Sequence, residues 1–151
     1  MFYQIKKLGV DDLALAQDVF MLFKKVFDGE TINRKDLPEE DYLKQLLGKS
    51  TFHIFAAIAD GKIVGGLTAY EFEMYLKKEK EAYLYDLAVD EAYRRQGMAG
   101  ALINAAKFYA RENNISILFV EAHEEDIGAI EFYRSLGAEM EKVAHFNIYP
   151  H

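Results

Sequence analysis

Asp86-Leu87-Ala88-Val89-Asp90-Glu91-Ala92-Tyr93-Arg94-Arg95-Gln96-Gly97-Met98-Ala99 reads as the end of an apolar strand, a short polar loop and the opening of a helix. Such a junction builds an anion nest. Unpaired backbone N–H groups at a helix N-terminus point outward, and the helix dipole favours a phosphate there. Gly97 and Ala99 leave no bulky side chain in the way, and Arg94 and Arg95 can add charge-assisted contacts. The plain alternative is an ordinary helix start with two solvated arginines. Other phosphate motifs fit badly: no Gly-x-x-x-x-Gly-Lys-Ser/Thr run occurs, and Gly97-Met98-Ala99-Gly100 lacks the Gly-x-Gly-x-x-Gly spacing.

The flanks extend this junction into an α/β pattern. Upstream, Ala82 to Val89 reads as a strand; downstream, a helix from about Gly97 to Asn113 shows Leu102, Ala106 and Tyr109 on one stripe, with Ile103 and Ala110 beside it. Ile115 to Ala122 is a continuous apolar strand. Strand, helix and strand in this order predict a parallel pair with a right-handed crossover. Earlier, Thr51–Ala59 and Lys62–Phe72 predict two strands joined at Asp60-Gly61, a tight-hairpin signal. Phe2 to Leu8 reads as a short opening strand. A helix follows Asp11-Asp12, with Leu15, Val19, Leu22, Phe23 and Val26 at helical spacing. The polar segment from Gly29 to Leu37 reads as a loop that helps close a site, and Pro38 to Leu47 as a second helix. Met74 to Glu81 is a charged connection. Asp126 to Ser135 predicts a short helix stopped at Gly137, and Ala138 to Tyr149 a last strand or hairpin. The class is α/β, a mixed sheet with helices on both faces.

The chain has 151 residues, 51% hydrophobic and 28% charged, which suits a single domain over 1–151 with one core. No cysteine is present, which excludes disulfides, thiolate catalysis and cysteine zinc sites. The opening Met1-Phe2-Tyr3-Gln4-Ile5 does not look like a signal peptide, and no apolar run reaches membrane-spanning length, so a cytoplasmic location is expected. The net charge is −7, from 25 acidic and 18 basic residues. That acidity disfavours nucleic acid, which needs clustered Lys and Arg. It suits either solubility alone or attraction of a cationic small substrate.

Leu87-Ala-Val, then Arg94-x-x-Gly-x-Ala, then Ala129-Ile-Glu-Phe-Tyr-Arg-Ser-Leu-Gly-Ala138 resembles the GCN5-related N-acetyltransferases (GNAT) over nearly the whole chain. Within that superfamily, Asp41-Tyr-Leu, Thr51-Phe, Tyr85-Asp-Leu-Ala-Val, Arg94-Arg-Gln-Gly, Ala101-Leu-Ile-Asn and His145-Phe-Asn-Ile-Tyr-Pro resemble the aminoglycoside 3-N-acetyltransferases. The resemblance implies a mixed, mostly antiparallel twisted sheet whose parallel strands, Ala82–Val89 and Ile115–Glu121, splay apart. It implies acetyl-CoA as donor, with the pantetheine arm pairing with Leu87, Ala88 and Val89. A bulge would free the backbone N–H near Val89 for the thioester oxygen, and the pyrophosphate would sit on N–H groups from Arg95 through Gln96, Gly97, Met98 and Ala99 to Gly100. The acceptor implied is an amine of an aminoglycoside, with resistance as the consequence, and the assembly a homodimer. Neither nucleic acid nor membrane is an expected partner.

Acetyl transfer needs a neutral amine, a stabilised oxyanion and a proton for the departing thiolate. Asp86 interrupts an apolar strand, where an unpaired carboxylate is costly, so it is either the base that receives the amine's proton or a structural acceptor. Strict alternation puts Leu84, Asp86 and Ala88 on one face and Tyr83, Tyr85, Leu87 and Val89 on the other. Glu121 ends the neighbouring strand and is the second acidic candidate. Glu124, Glu125 and Asp126 follow it, either as part of a cationic-substrate surface or as a solvated loop with Asp126 as helix cap. Tyr133, by the resemblance, lies near the sulfur as general acid, with Ala129 and Phe132 around it; helical spacing equally allows plain packing. Family members often carry Asn where Asp126 stands, and an ionised Asp cannot donate the same bond. His53, His123 and His145 show no metal-ligand spacing; His123 reads as a strand residue, either a second base or a satisfied edge histidine. Tyr70, Phe72, Tyr75 and Tyr83 are candidates to line a sugar cleft, against core or dimer packing. With no Cys and no motif-supported Ser–His pair, direct transfer without an acyl-enzyme is expected. An acetyltransferase for polyamines, amino acids or peptide amines shares the same loop, and a non-catalytic acyl-CoA-binding module is the rival from another class.

Overall fold

The glycine pair Gly65-Gly66 shows how the sheet is sandwiched. A Cβ on Gly65 would meet Leu102 Cδ1 at 3.4 Å, on one helix; a Cβ on Gly66 would meet Val19 Cγ1 at 2.5 Å, on another. Neighbouring strand residues face opposite sides, so the two helices cover opposite faces of one sheet. The computed structural model describes residues 2–151.

The strands are β1 (Gln4–Lys7), β2 (Phe52–Ala59), β3 (Lys62–Glu73), β4 (Lys80–Val89) and β5 (Ile115–Val120), in the order β1-β2-β3-β4-β5. The first four pair antiparallel and β4–β5 pair parallel. The mixed α/β sheet expected from the sequence is therefore present. Asp60 and Gly61 both take positive φ, 53° and 72°, as the tight hairpin between β2 and β3 demands.

The α1 helix (Leu13–Asp28) buries Ala16, Val19 and Phe23 against Phe52, Ile54 and Ala56 of β2 and Ala88 of β4. It ends where Gly29 adopts φ 69° and donates its N–H to Lys25. The α2 helix (Glu40–Leu47) starts two residues after Pro38, which thus lies outside the first turn. The α3 helix (Met98–Glu112) buries Met98, Leu102, Ile103, Ala106 and Ala110, the expected stripe. The Gly29–Leu37 loop contains a short 3-10 turn, Arg34–Asp36, and Arg34 pairs with Asp18 of α1 at 3.0 Å.

Two compact units are distinguished, Met1–Glu121 and Ala122–His151. The second holds α4 (Ile127–Ser135), whose N-terminus is capped by Asp126 and which is followed by Gly137 at φ 81°. Residues 138–151 form no helix or strand, so the last strand or hairpin expected there is absent. An antiparallel ladder needs a partner strand, and apolar content in one segment does not specify one.

Gly66 permits a strong stability prediction. Val19 is fully buried, so a methyl at 2.5 Å cannot be relieved by a solvent-exposed tip. Gly66→Ala is expected to destabilise the fold by about 1–3 kcal/mol, read as a lower urea midpoint. An unchanged midpoint would mean that α1 yields freely at Val19.

Candidate functional site

Parallel pairing runs from Lys80↔Ile115 to Leu84↔Val120 and then stops. β5 ends at Val120, whereas β4 continues to Val89, still paired with β3. Residues Asp86 to Val89 therefore have β3 on one side and an opening on the other. Asp90 donates its N–H to Val64 of β3 at 2.8 Å. Alternation then turns the N–H and C=O of Val89 toward the opening. Arg94 Nε donates to that carbonyl at 3.2 Å, tying the loop to the strand end.

The loop itself is braced by Asp90. One carboxylate oxygen accepts the Ala92 N–H at 3.0 Å, and the other pairs with Lys25 of α1 at 3.0 Å. The bond from Ala92, then the Lys25 partnership, holds the Asp90 carboxyl below its ordinary range. Sequence reading passed over Asp90 and Lys25, because their link spans 65 positions. Beyond a short 3-10 turn, Arg95 takes φ 63° and Gly97 φ 80°. Left-handed residues at such a turn point consecutive N–H groups into one concavity. The N-cap of α3 is Gly97, which offers no side-chain cap, in contrast with Asp126 of α4. Arg94, Arg95, Gln96 and Gly97 are exposed, and Met98 is buried in the core. These features fit a bound diphosphate.

β4 contains a bulge, four residues before Val89. Thr68 pairs with Asp86 and Ala69 with Leu84, which leaves Tyr85 as the extra residue. The bulge also corrects the expected alternation. Leu84 follows Ala69 and His53 onto the α3 side, where His53 stacks on Tyr109 with ring centroids 4.6 Å apart. Asp86 follows Thr68 and Ile54 onto the α1 side, together with Ala88. Tyr83 pairs with Tyr70, which lies opposite Phe52, and so shares the α1 side.

An aromatic chain results on that face. Tyr70 contacts Tyr85 at 5.7 Å, Tyr85 contacts Tyr83 at 5.5 Å, and Tyr83 stacks on Phe119 of β5 at 4.9 Å and 16°. Phe72 extends it by stacking on Phe119 at 6.4 Å. Tyr75 lies in the exposed connection after β3 instead. Asp86 is half-buried beside these rings, and burial pushes its carboxyl above the ordinary aspartate range. Tyr83 is likewise pushed up, by burial first and then by Glu121, to which its side chain is hydrogen-bonded. Tyr85, not among the expected cleft residues, keeps the face it shares with Tyr83, and the bulge brings Asp86 onto that face.

In the second unit, Asp126 Oδ1 accepts the Ala129 N–H at 3.1 Å, so it acts as a helix cap. Phe132 and Tyr133 rings meet at 5.3 Å, and burial followed by Asp126 raises the Tyr133 hydroxyl. His123 lies beyond the end of β5, not on a strand as expected.

The model of the acetyltransferase (GNAT) family matches residues 17–138. The chain belongs to the GNAT acetyltransferase family. Enzymes of this family use acyl-CoA, and the strand opening and the uncapped α3 suit such a donor. Two aminoglycoside acetyltransferases from uncultured soil metagenomic samples are close structural neighbours. One, in complex with sisomicin, is 35% identical, with a TM-score of 0.92 over 99% of this chain and 97% of its own. The other is 35% identical, with a TM-score of 0.93 over 100% of both chains. An uncharacterized N-acetyltransferase of Methanocaldococcus jannaschii is 30% identical over 93% of this chain, which spans only 62% of that relative's length. No helix of the GNAT chain is long and apolar enough to cross a membrane, among the described residues.

Proposed function

We propose that this GNAT chain transfers acetyl from acetyl-CoA to an amine of an aminoglycoside, the 3-amine of its deoxystreptamine ring, and thereby confers resistance as a homodimer. The observation that carries the reading is Asp86, half-buried with a raised carboxyl pKa on an aromatic face where β4 outruns β5. The likeness to two aminoglycoside acetyltransferases supports the substrate class. So does the net charge of −7, which favours a polycation.

Bound acetyl-CoA supplies an activated acetyl thioester. Backbone groups of Leu87, Ala88 and Val89 bind the pantetheine, and Val89 N–H donates to the acyl oxygen. N–H groups from Arg95 to Gly100, with the Arg94 and Arg95 side chains, hold the pyrophosphate. Asp86 accepts the ammonium proton directly or through water, which frees the nitrogen lone pair for attack; Glu121 binds a cationic group nearby. The nitrogen attacks the acyl carbon, the C–S bond breaks as Tyr133 gives its proton to the sulfur, and the second proton shed by the new amide nitrogen restores the Tyr133 hydroxyl. A raised hydroxyl pKa keeps Tyr133 protonated until then. Asp126, Ala129 and Phe132 complete the donor contacts in this reading. Transfer is direct in this reading, since the chain has neither a cysteine nor a motif-supported Ser–His pair to carry the acyl group.

A thiol-release assay with acetyl-CoA and a panel of amines tests the proposal. Deoxystreptamine aminoglycosides are expected to turn over at the highest kcat/KM, with product acetylated at the 3-amine by mass spectrometry and NMR. Turnover confined to polyamines, amino acids or peptide amines would replace the substrate. Cofactor binding without any turnover would make the chain a binding module.

A further inference from the structure

Tyr83 joins the aromatic face to the second carboxylate of the opening. Its ring is stacked on Phe119 at 4.9 Å and 16°, and Tyr85 meets it at 5.5 Å and 60°. Contacts from two aromatic neighbours restrict its ring and so limit where its hydroxyl can stand. Glu121 stands two residues beyond Phe119, the β5 partner of Tyr83, and acts on that hydroxyl by its charge and then through a hydrogen bond. Glu121 comes one residue after Val120, the last β5 residue paired with β4. Asp86 comes two residues after Leu84, the β4 member of that pair, and Asp86 and Tyr83 share a face. The two carboxylates thus flank the strand opening, one from each strand.

We infer that Tyr83 is a positioning residue: it holds Glu121 as a second ammonium anchor opposite Asp86, so that the site selects rigid acceptors with two or more amino groups. This rests on the reading of the α1-side face as the acceptor surface. A carboxylate accepts up to about four hydrogen bonds, so the Tyr83 bond orients Glu121 without exhausting its capacity. A rigid ring bearing two ammonium groups gains from two anchors at set positions, because neither carboxylate must be ordered on binding. A simple monoamine uses only the anchor at Asp86. The aromatic rings add faces that attract ammonium groups.

The test is a double-mutant cycle of Tyr83→Phe and Glu121→Gln in the full chain. Acetyl-CoA and a deoxystreptamine aminoglycoside serve as substrates. Tyr83→Phe keeps the ring and removes only the O–H. It is expected to raise the aminoglycoside KM up to about tenfold, because Glu121 must then be ordered when the substrate binds. Neither kcat nor the KM for acetyl-CoA should change by more than about twofold, since the proposed donor contacts on β4 and its loop begin at Leu87. Because Tyr83 acts through Glu121, the double variant should be no worse than Glu121→Gln alone. An unchanged KM in Tyr83→Phe, or effects that add in the double variant, overturns the inference while the substrate reading stands. A wild type that turns over no aminoglycoside overturns the substrate reading first, and the inference with it.

Discussion

Asp86→Asn is expected to lower kcat about 100- to 10,000-fold, the range spanned by a general base, while making the folded chain more stable. Both effects come from the same burial. Desolvation pushes the Asp86 carboxyl above the ordinary aspartate range, and no opposite charge brings it back. The folded state therefore holds this proton more tightly than the unfolded chain does. Between the unfolded and folded pKa values the folded state binds more protons, so stability falls as pH rises through that window. Above that window the full cost of a buried carboxylate is present. Asparagine keeps the shape and removes the charge, so its melting temperature should exceed the wild type's at pH 7 and converge with it in acid. The wild-type kcat/KM profile should also show an acid limb above the ordinary aspartate range, since the base works only when ionised. Loss of activity with a rise in melting temperature is the signature of a strained catalytic carboxylate. Activity retained within a few-fold would make Asp86 a structural acceptor.

Gly97→Val is expected to raise the KM for acetyl-CoA at least about tenfold, with kcat at saturation held within about threefold. Gly97 stands at φ 80°, where an L-residue costs about 1–2 kcal/mol. A tenfold loss in affinity corresponds to about 1.4 kcal/mol, so relaxation of the turn alone is enough. In the folded chain a Cβ at this position would meet only the Tyr3 hydroxyl, at 3.8 Å. The penalty therefore comes from the lost left-handed turn and from crowding of the phosphate approach, not from a clash with the core. Aminoglycoside KM should stay near the wild-type value. A Gly97→Val enzyme with unchanged acetyl-CoA KM would remove this loop from the donor site.

Much of the architecture was legible because its signals are local. Asp60-Gly61 takes the two positive φ angles that a tight hairpin needs, and the Leu102–Ala106–Ala110 stripe records which side of α3 is buried. Two readings failed where the deciding partner lies elsewhere in the chain. The alternation drawn for β4 broke at Tyr85, because a bulge is a mismatch of register with β3 and leaves no mark on β4 alone. Asp126, by contrast, takes the cap role that its own helix start predicts, through the Ala129 N–H three residues on. Residues 138–151 carry strand-forming residues, yet no ladder forms among them.

The loop from Arg94 to Ala99 and its flanking strand and helix were determined by the amino-acid order itself. Glycine at a left-handed position, an apolar strand before it and a helical stripe after it act within a few residues of one another. Which way Asp86 faces, and which rings stand beside it, was decided only by tertiary structure. The extra residue at Tyr85 exists only relative to β3, and the stack of Tyr83 on Phe119 exists only because β5 lies alongside β4 before it stops. Side-chain direction along a strand is a parity, and a single bulge inverts it for every residue that follows.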